Sequence, residues 1–336
     1  MSHVPERFSA LVAERDGDRV TTAVRQIGVA DLPPGEVVIR VEYSSANYKD
    51  ALALRSNGGV VREYPVVPGI DLAGIVVASE TDAIPVGSSV VAHGGTIGTG
   101  KHGGYAEYAR VGADEVVLLD GLSSREAMAI GTAGFTSALS VDVLRREGLE
   151  PEAGPVIVTA ASGGVGMMAV AMLGALGYEV VASTGRAASE QLLRELGASR
   201  VIGRIPEDAD EHIRPLGRST WAGAVDSVGG RTLASILSTM RYGGVVAASG
   251  LTGGAELPTT VMPFILRAVT LRGIDSVMLE ISRRRALWAL LGAELRPRNL
   301  EIMSDEVAVA EVPAVLASLV EGSHVGRTIV RVAGGF

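Results

Sequence analysis

The chain of 336 residues contains no cysteine. That absence excludes a disulfide framework, a thiolate zinc site and a cysteine nucleophile. It agrees with a reducing, cytoplasmic setting. Basic charge is also in short supply. Thirty Lys and Arg stand against 38 Asp and Glu, for a net charge of −8. A nucleic-acid partner needs a basic face, so none is expected. The first twenty residues carry charges throughout, so no signal peptide is expected. One stretch without any charge, residues 153–178, would catch a hydropathy window. Glycines 163, 164 and 166 interrupt it near its middle. A strand, a tight turn and a helix explain it better than a membrane span, and no membrane partner is expected.

What is present favours two packed domains, since domains commonly run to roughly 100–200 residues. Hydrophobic residues make up 47% and charged residues 20%, enough for substantial cores. In the first part, Val37, Ile39, Val41 and Tyr43 alternate with Val38, Arg40 and Glu42, the period of a half-buried strand. Short apolar runs follow at 70–78, 89–92, 105–111 and 116–119, punctuated by Pro68-Gly69, Pro85, Gly87 and Gly94-Gly95. That spacing predicts a small barrel-like antiparallel domain. Ser123 with Glu126 marks a helix start. Strands and helices then alternate as far as Asp275, which predicts a doubly wound parallel sheet. Beyond it come helices over 283–295 and 313–321 and a last strand over 327–332, expected to rejoin the first domain.

Residues 156–160 read as a strand ending in Ala161-Ser162-Gly163-Gly164-Val165-Gly166, then a helix. This is a variant of the dinucleotide fingerprint, with Ala161 at the first glycine position. Gly163 would admit the pyrophosphate close to the backbone, and Gly166 would let the helix pack against the strand. The helix N-terminus offers free N–H groups to the anion. The next strand ends in Ser183-Thr184-Gly185-Arg186, with no acid there to hold a ribose 2′-hydroxyl. Hydroxyls and an arginine suit a 2′-phosphate, so NADPH is favoured over NADH, with Arg204 a candidate second cation.

Several further segments carry a resemblance: Asn47-Tyr48-Lys49-Asp50, residues 68–74 (PGIDLAG), residues 131–136 (GTAGFT), residues 221–226 (WAGAVD) and residues 273–277 (GIDSV). With the glycine turn between them, the chain resembles the medium-chain dehydrogenase/reductase superfamily and, more narrowly, its acrylyl-CoA reductase subfamily, over about residues 8–332. Some members of that group carry quinone oxidoreductase names. The resemblance implies a Rossmann sheet over residues 126–276 and a GroES-like β-barrel domain over 1–125 and 277–336. It implies NADPH-dependent reduction of acrylyl-CoA to propionyl-CoA, with a quinone or other activated alkene as the alternative acceptor. Zinc-dependent relatives carry Gly-His-Glu where this chain has Gly69-Ile70-Asp71. His93 and His102 lack a third-ligand pattern and are read as loop or rim histidines, so no metal is expected. Candidate catalytic residues are Asn47, Tyr48 and Asp50. Asn47 and Asp50 are equally well explained as a capping box. Cofactor candidates are Tyr48, Thr136, Ser162, Gly163, Gly164, Val165, Gly166, Ser183, Thr184, Gly185, Arg186, Arg204, Leu251, Ile274 and Ser276. Thr132 is a further candidate beside nicotinamide and substrate. Arg62, Lys101 and Arg267 are weak candidates for the CoA phosphates, and an edge strand is a candidate homodimer contact.

Overall fold

The computed structural model describes residues 4–208 and 212–336. They form two compact units, one of Met1–Thr132, Val277–Glu294 and Met303–Phe336, the other of Ala133–Ser276 and Leu295–Ile302.

The first unit opens with an antiparallel hairpin, β1 (Arg7–Asp16) and β2 (Arg19–Gly28). Then follow β3 (Val37–Ala46), α1 (Tyr48–Ala53), β4 (Asp71–Ser79), β5 (Ser89–His93), β6 (Tyr108–Val111), β7 (Val116–Leu118) and the start of α2 (Ser124–Arg146). Strands β3, β4, β5 and β7 pair antiparallel in that order, and β6 adds to β3. The expected antiparallel domain is therefore present, with an N-terminal hairpin that the alternation had not indicated. Alternate β3 residues Val37, Ile39 and Val41 enter a core with Phe8, Leu72, Val90 and Tyr105. The start of α2 follows its capping signal: Ser123 N–H donates to Glu126 Oε2 at 2.9 Å, and Glu126 N–H to Ser123 Oγ at 3.2 Å. The unit runs past residue 125 because this helix continues to a kink at Gly131 (φ +53°), after which Thr132 bonds back into the unit.

The second unit alternates strand and helix: β8 (Val156–Val158), α3 (Gly164–Ala175), β9 (Val180–Ser183), α4 (Glu190–Glu195), β10 (Arg200–Ile202), β11 (Trp221–Asp226), α5 (Gly230–Thr239), β12 (Met240–Ala248), α6 (Met262–Arg267) and β13 (Thr270–Gly273). Every pairing is parallel, in the order β10-β9-β8-β11-β12-β13. Strand order reverses between β8 and β11, and ligands of such sheets bind at that point, beyond the carboxyl ends of the strands. The chargeless segment resolves into β8, the turn and α3. Among the described residues the one helix long and apolar enough to cross a bilayer is α2, and most of it is buried.

The chain closes with α7 (Ile281–Gly292), α8 (Leu300–Met303), β14 (Ser304–Ala308), α9 (Val312–Glu321) and β15 (Arg327–Arg331). β15 pairs antiparallel with β3, so the tail rejoins the first unit's sheet as expected.

Candidate active site and dinucleotide site

In the first unit, β3 ends in Ser44, Ser45 and Ala46, and Asn47 follows as the cap of α1, all buried. Asp71, the first residue of β4, is wholly buried beside them. Its carboxylate accepts from Ser45 Oγ (2.5 Å), Asn47 Nδ2 (2.8 Å), Thr132 N–H (2.9 Å) and the Thr132 hydroxyl. Arg327 of β15 closes the network. It donates to Ser45 Oγ (2.8 Å), Asn47 Oδ1 (3.1 Å) and the carbonyls of Ala46 and Ala129, with a guanidinium nitrogen 3.9 Å from Asp71. Gly131 makes room for this: a Cβ there would meet Arg327 Nη2 at 2.5 Å and Asp71 Oδ2 at 2.6 Å.

Burial opposes the Asp71 charge, but His93, Arg327 and the Ser45 and Thr132 donors outweigh it, and the carboxyl titrates below its ordinary range. His93 is pushed down to about 3, by burial first and then by Arg284. Arg327 is the guanidinium facing Asp71. His93 is no rim residue. It ends β5 fully buried and accepts from Trp288 Nε1 at 2.8 Å, while Arg284 donates to its backbone carbonyl. The expectation failed because a lone histidine after an apolar run gives no sign of a partner nearly 200 positions away. Among the described residues no group of three His, Asp or Glu is placed to hold a metal ion.

The three catalytic candidates separate. Asp50 is fully buried; Oδ2 accepts Asn47 N–H (2.9 Å), and Oδ1 accepts Gly69 N–H (3.0 Å) and Ile70 N–H (2.8 Å). Burial, then the Asp71 charge, raises its pKa to about 7, against those three backbone donors. Asn47 has both ends of its amide engaged, to Asp71 and Ser45 by Nδ2 and to Arg327 by Oδ1. Tyr48, the first residue of α1, is 47% exposed, and its phenol has no hydrogen-bond partner among the described residues. The network thus holds the entry to α1 rigidly and leaves Tyr48 outside it.

The second unit assembles most of the cofactor candidates. The tight turn after β8 has Ala160 at φ +45°, an unusual conformation for a residue with a side chain. Gly166 has no room for one: its Cβ would meet Ala160 O and Ala161 Cα at 2.5 Å. Gly163 caps α3, whose first amides lack intrahelical acceptors. Across the turn, Ser162 Oγ and Thr184 Oγ1 lie 2.9 Å apart, and Arg186 Nη1 donates to Ser162 Oγ at 3.1 Å. Ser183 Oγ donates to Gly203 O at 2.9 Å. A Cβ on Gly185 would lie 2.4 Å from Arg204 Nε, so the Arg204 guanidinium rests on the Gly185 backbone. Arg204 itself is exposed and makes no hydrogen bond or ion pair among the described residues. These residues fit a dinucleotide with a 2′-phosphate: a helix N-terminus for the pyrophosphate, and hydroxyls with two cations at the next strand's end. Thr136 Oγ1 donates to Ser276 Oγ at 2.9 Å, bringing two more candidates together. Ile274 N–H is taken up by Ala248 O, and Leu251 is 66% exposed.

Of the residues suggested for CoA phosphates, Lys101 is paired with Glu115, and Arg267 is spent on the carbonyls of Gly217, Ser238 and Met240. Arg62 is exposed and has no hydrogen-bond or ion-pair partner among the described residues.

A parallel sheet with a glycine turn at its switch point, in a chain that also carries a β unit with a buried Asp–Arg network, defines a medium-chain dehydrogenase/reductase. Two family models match accordingly, an alcohol dehydrogenase GroES-like domain over residues 33–121 and a zinc-binding dehydrogenase domain over residues 164–292. The chain belongs to that superfamily and, within it, to the acrylyl-CoA reductase subfamily. It is 46% identical to the acrylyl-CoA reductase AcuI of Ruegeria pomeroyi, over 97% of this chain and 99% of that protein. Two solved structures are similarly near. The Bacillus subtilis protein YhfP with NAD bound has TM-score 0.94 and 47% identity, covering 97% of this chain and 99% of that one. Escherichia coli YhdH with bound NADPH has TM-score 0.92 and 46% identity, covering 96% and 99%.

Proposed function

We propose that this chain uses NADPH to reduce the carbon–carbon double bond of acrylyl-CoA, giving propionyl-CoA. The observation that carries the substrate reading is the near full-length likeness to AcuI. The choice of NADPH is supported by Arg204, lying over Gly185 with no hydrogen-bond or ion-pair partner among the described residues.

Bound NADPH supplies the hydride to the β-carbon of the enoyl thioester. The chain's task is to stabilise the charge that then develops on the thioester oxygen and to deliver a proton to the α-carbon. Of the three catalytic candidates, Tyr48 suits the first role, because its phenol is exposed and uncommitted. Asn47 and Asp50 are assigned to holding the strand-to-helix junction that aims Tyr48. The turn amides 164–166 and the pair Ser162–Thr184 hold the pyrophosphate side, and Arg186 with Arg204 the 2′-phosphate.

The chain is further proposed to act as a homodimer in the cytoplasm, without nucleic-acid or membrane partners. The second unit's sheet ends on β13, and α6 before it, with Val261 at its start, exposes Ile265 and Leu266, an apolar face suited to a second copy. Absorbance of NADPH or NADH, followed with acrylyl-CoA or a benzoquinone at equal enzyme, tests the function. Fastest turnover is expected with NADPH and acrylyl-CoA. Faster turnover of the quinone would replace the substrate reading, and nucleotide binding without turnover of either acceptor would end the enzyme reading.

A further inference from the structure

Asp226 ends β11 fully buried, yet it forms no ion pair among the described residues. A buried charge without a counter-ion is costly unless hydrogen bonds satisfy it. Here Thr159 Oγ1 donates to Oδ1 at 2.6 Å and Gly229 N–H to Oδ2 at 2.8 Å, and Val228 N–H adds a third bond. Thr159 Oγ1 in turn accepts Ser227 N–H at 3.2 Å. The place matters more than the count. Thr159 directly follows β8 and precedes Ala160, where the glycine turn begins. Asp226 closes β11 on the other side of the strand-order reversal. The Thr159–Asp226 bond therefore spans the switch point. Beyond it, Gly229 packs on the backbone of Gly250, Leu251 and Gly254, so a third loop is referenced to the same carboxylate.

We propose that Thr159 and Asp226 are positioning residues for NADPH, fixing the glycine turn relative to loops 227–230 and 250–254. The inference rests on the dinucleotide reading above. A turn that is free to shift must be ordered when the nucleotide binds, and that ordering lowers affinity. The hydrogen bonds of Thr159 and Asp226 described above run to neither Arg186 nor Arg204, so NADPH and NADH should suffer alike.

Thr159→Val keeps the side chain's size and removes the hydroxyl; Thr159→Ser keeps the hydroxyl. Nucleotide fluorescence titrations give Kd for NADPH and NADH, with turnover at saturating NADPH and thermal melts alongside. Thr159→Val is expected to weaken both nucleotides by about tenfold, a loosening of about 1.4 kcal/mol, with their ratio and kcat nearly unchanged. Thr159→Ser should restore wild-type affinity. Asp226→Asn, the second variant should Thr159→Val fail to fold, should weaken both nucleotides together. Wild-type Kd in folded Thr159→Val overturns the proposal, as does equal weakening by Val and Ser, or a change confined to NADPH. Failure of the wild-type chain to bind either nucleotide would instead remove the dinucleotide reading.

Discussion

Replacing Arg204 by Leu tests the cofactor assignment at its most specific point. Among the described residues this guanidinium engages no acid and no carbonyl, so binding a phosphate breaks no internal bond to them. A hydrogen bond to a charged group contributes about 1.5–3 kcal/mol, or about 10- to 150-fold in binding. Arg204 is exposed, so solvent and salt screen it and the lower half of that range applies. Arg186 remains and retains part of the preference. We therefore expect Arg204→Leu to lower kcat/KM for NADPH by about 10- to 30-fold while NADH changes by less than about twofold. The assay is the initial rate with each nucleotide at fixed acceptor, at low and at high salt. The NADPH loss should shrink at high salt, since the wild-type contact is itself screened. Equal losses for both nucleotides, or none for either, would refute the placing of the 2′-phosphate beside Arg204. Gly185→Ala is the companion change: its methyl would occupy the guanidinium's place, so it should reproduce the NADPH-selective loss.

Other expectations follow from the first unit. Tyr48→Phe should cut kcat by about 100-fold, the scale of losing one oxyanion donor, with Kd for NADPH unchanged in titration. Asp50 bears on stability. Its folded pKa is raised, to about 7, so its contribution favours the fold at low pH and is lost as pH rises from about 4 through 7. The melting temperature of the wild type relative to Asp50→Asn should accordingly fall between pH 5 and pH 8; a flat difference would show that Asp50 is not protonated in this range. Arg327→Met leaves the Asp71 charge without its cation and should cost about 3–5 kcal/mol in denaturant titration, as removing one partner of a buried pair does. Ile265→Glu with Leu266→Glu should yield a monomer in sedimentation if α6 covers a second copy.

The glycine turn and the alternation around it were legible because their signals are local. Strand, turn and helix lie within about twenty residues, and the absence of an acid after β9 needs only counting. The hairpin β1–β2 left a weaker trace. No residue of β2 is buried and five of its ten are exposed, so period-2 alternation fades. A signal was nonetheless available in Gly17, which takes φ +56° at the turn between Asp16 and Arg19. The boundary after Thr132 was illegible because a helix start resembles a domain start, and only the Asp71 bonds show that the first turns of α2 belong to the preceding unit.

The active-site loop shows why spacing alone could not decide between capping and chemistry. Asn47 and Asp50 have capping-box spacing, and the box is there in the Asn47 N–H to Asp50 bond. What the spacing omits is the burial around it. Asp71 lies 24 positions on and Arg327 lies 280 positions on, and together they consume the hydrogen-bonding capacity of the Asn47 amide. An amide so engaged would have to break a buried bond to polarise a substrate carbonyl, leaving a charged partner unsatisfied at a cost of about 1–3 kcal/mol or more. Tyr48, one position on and facing outward, incurs no such cost. The chemical assignment thus turns on a contrast between neighbours that share a loop and differ in exposure, and exposure is set by strands remote in sequence.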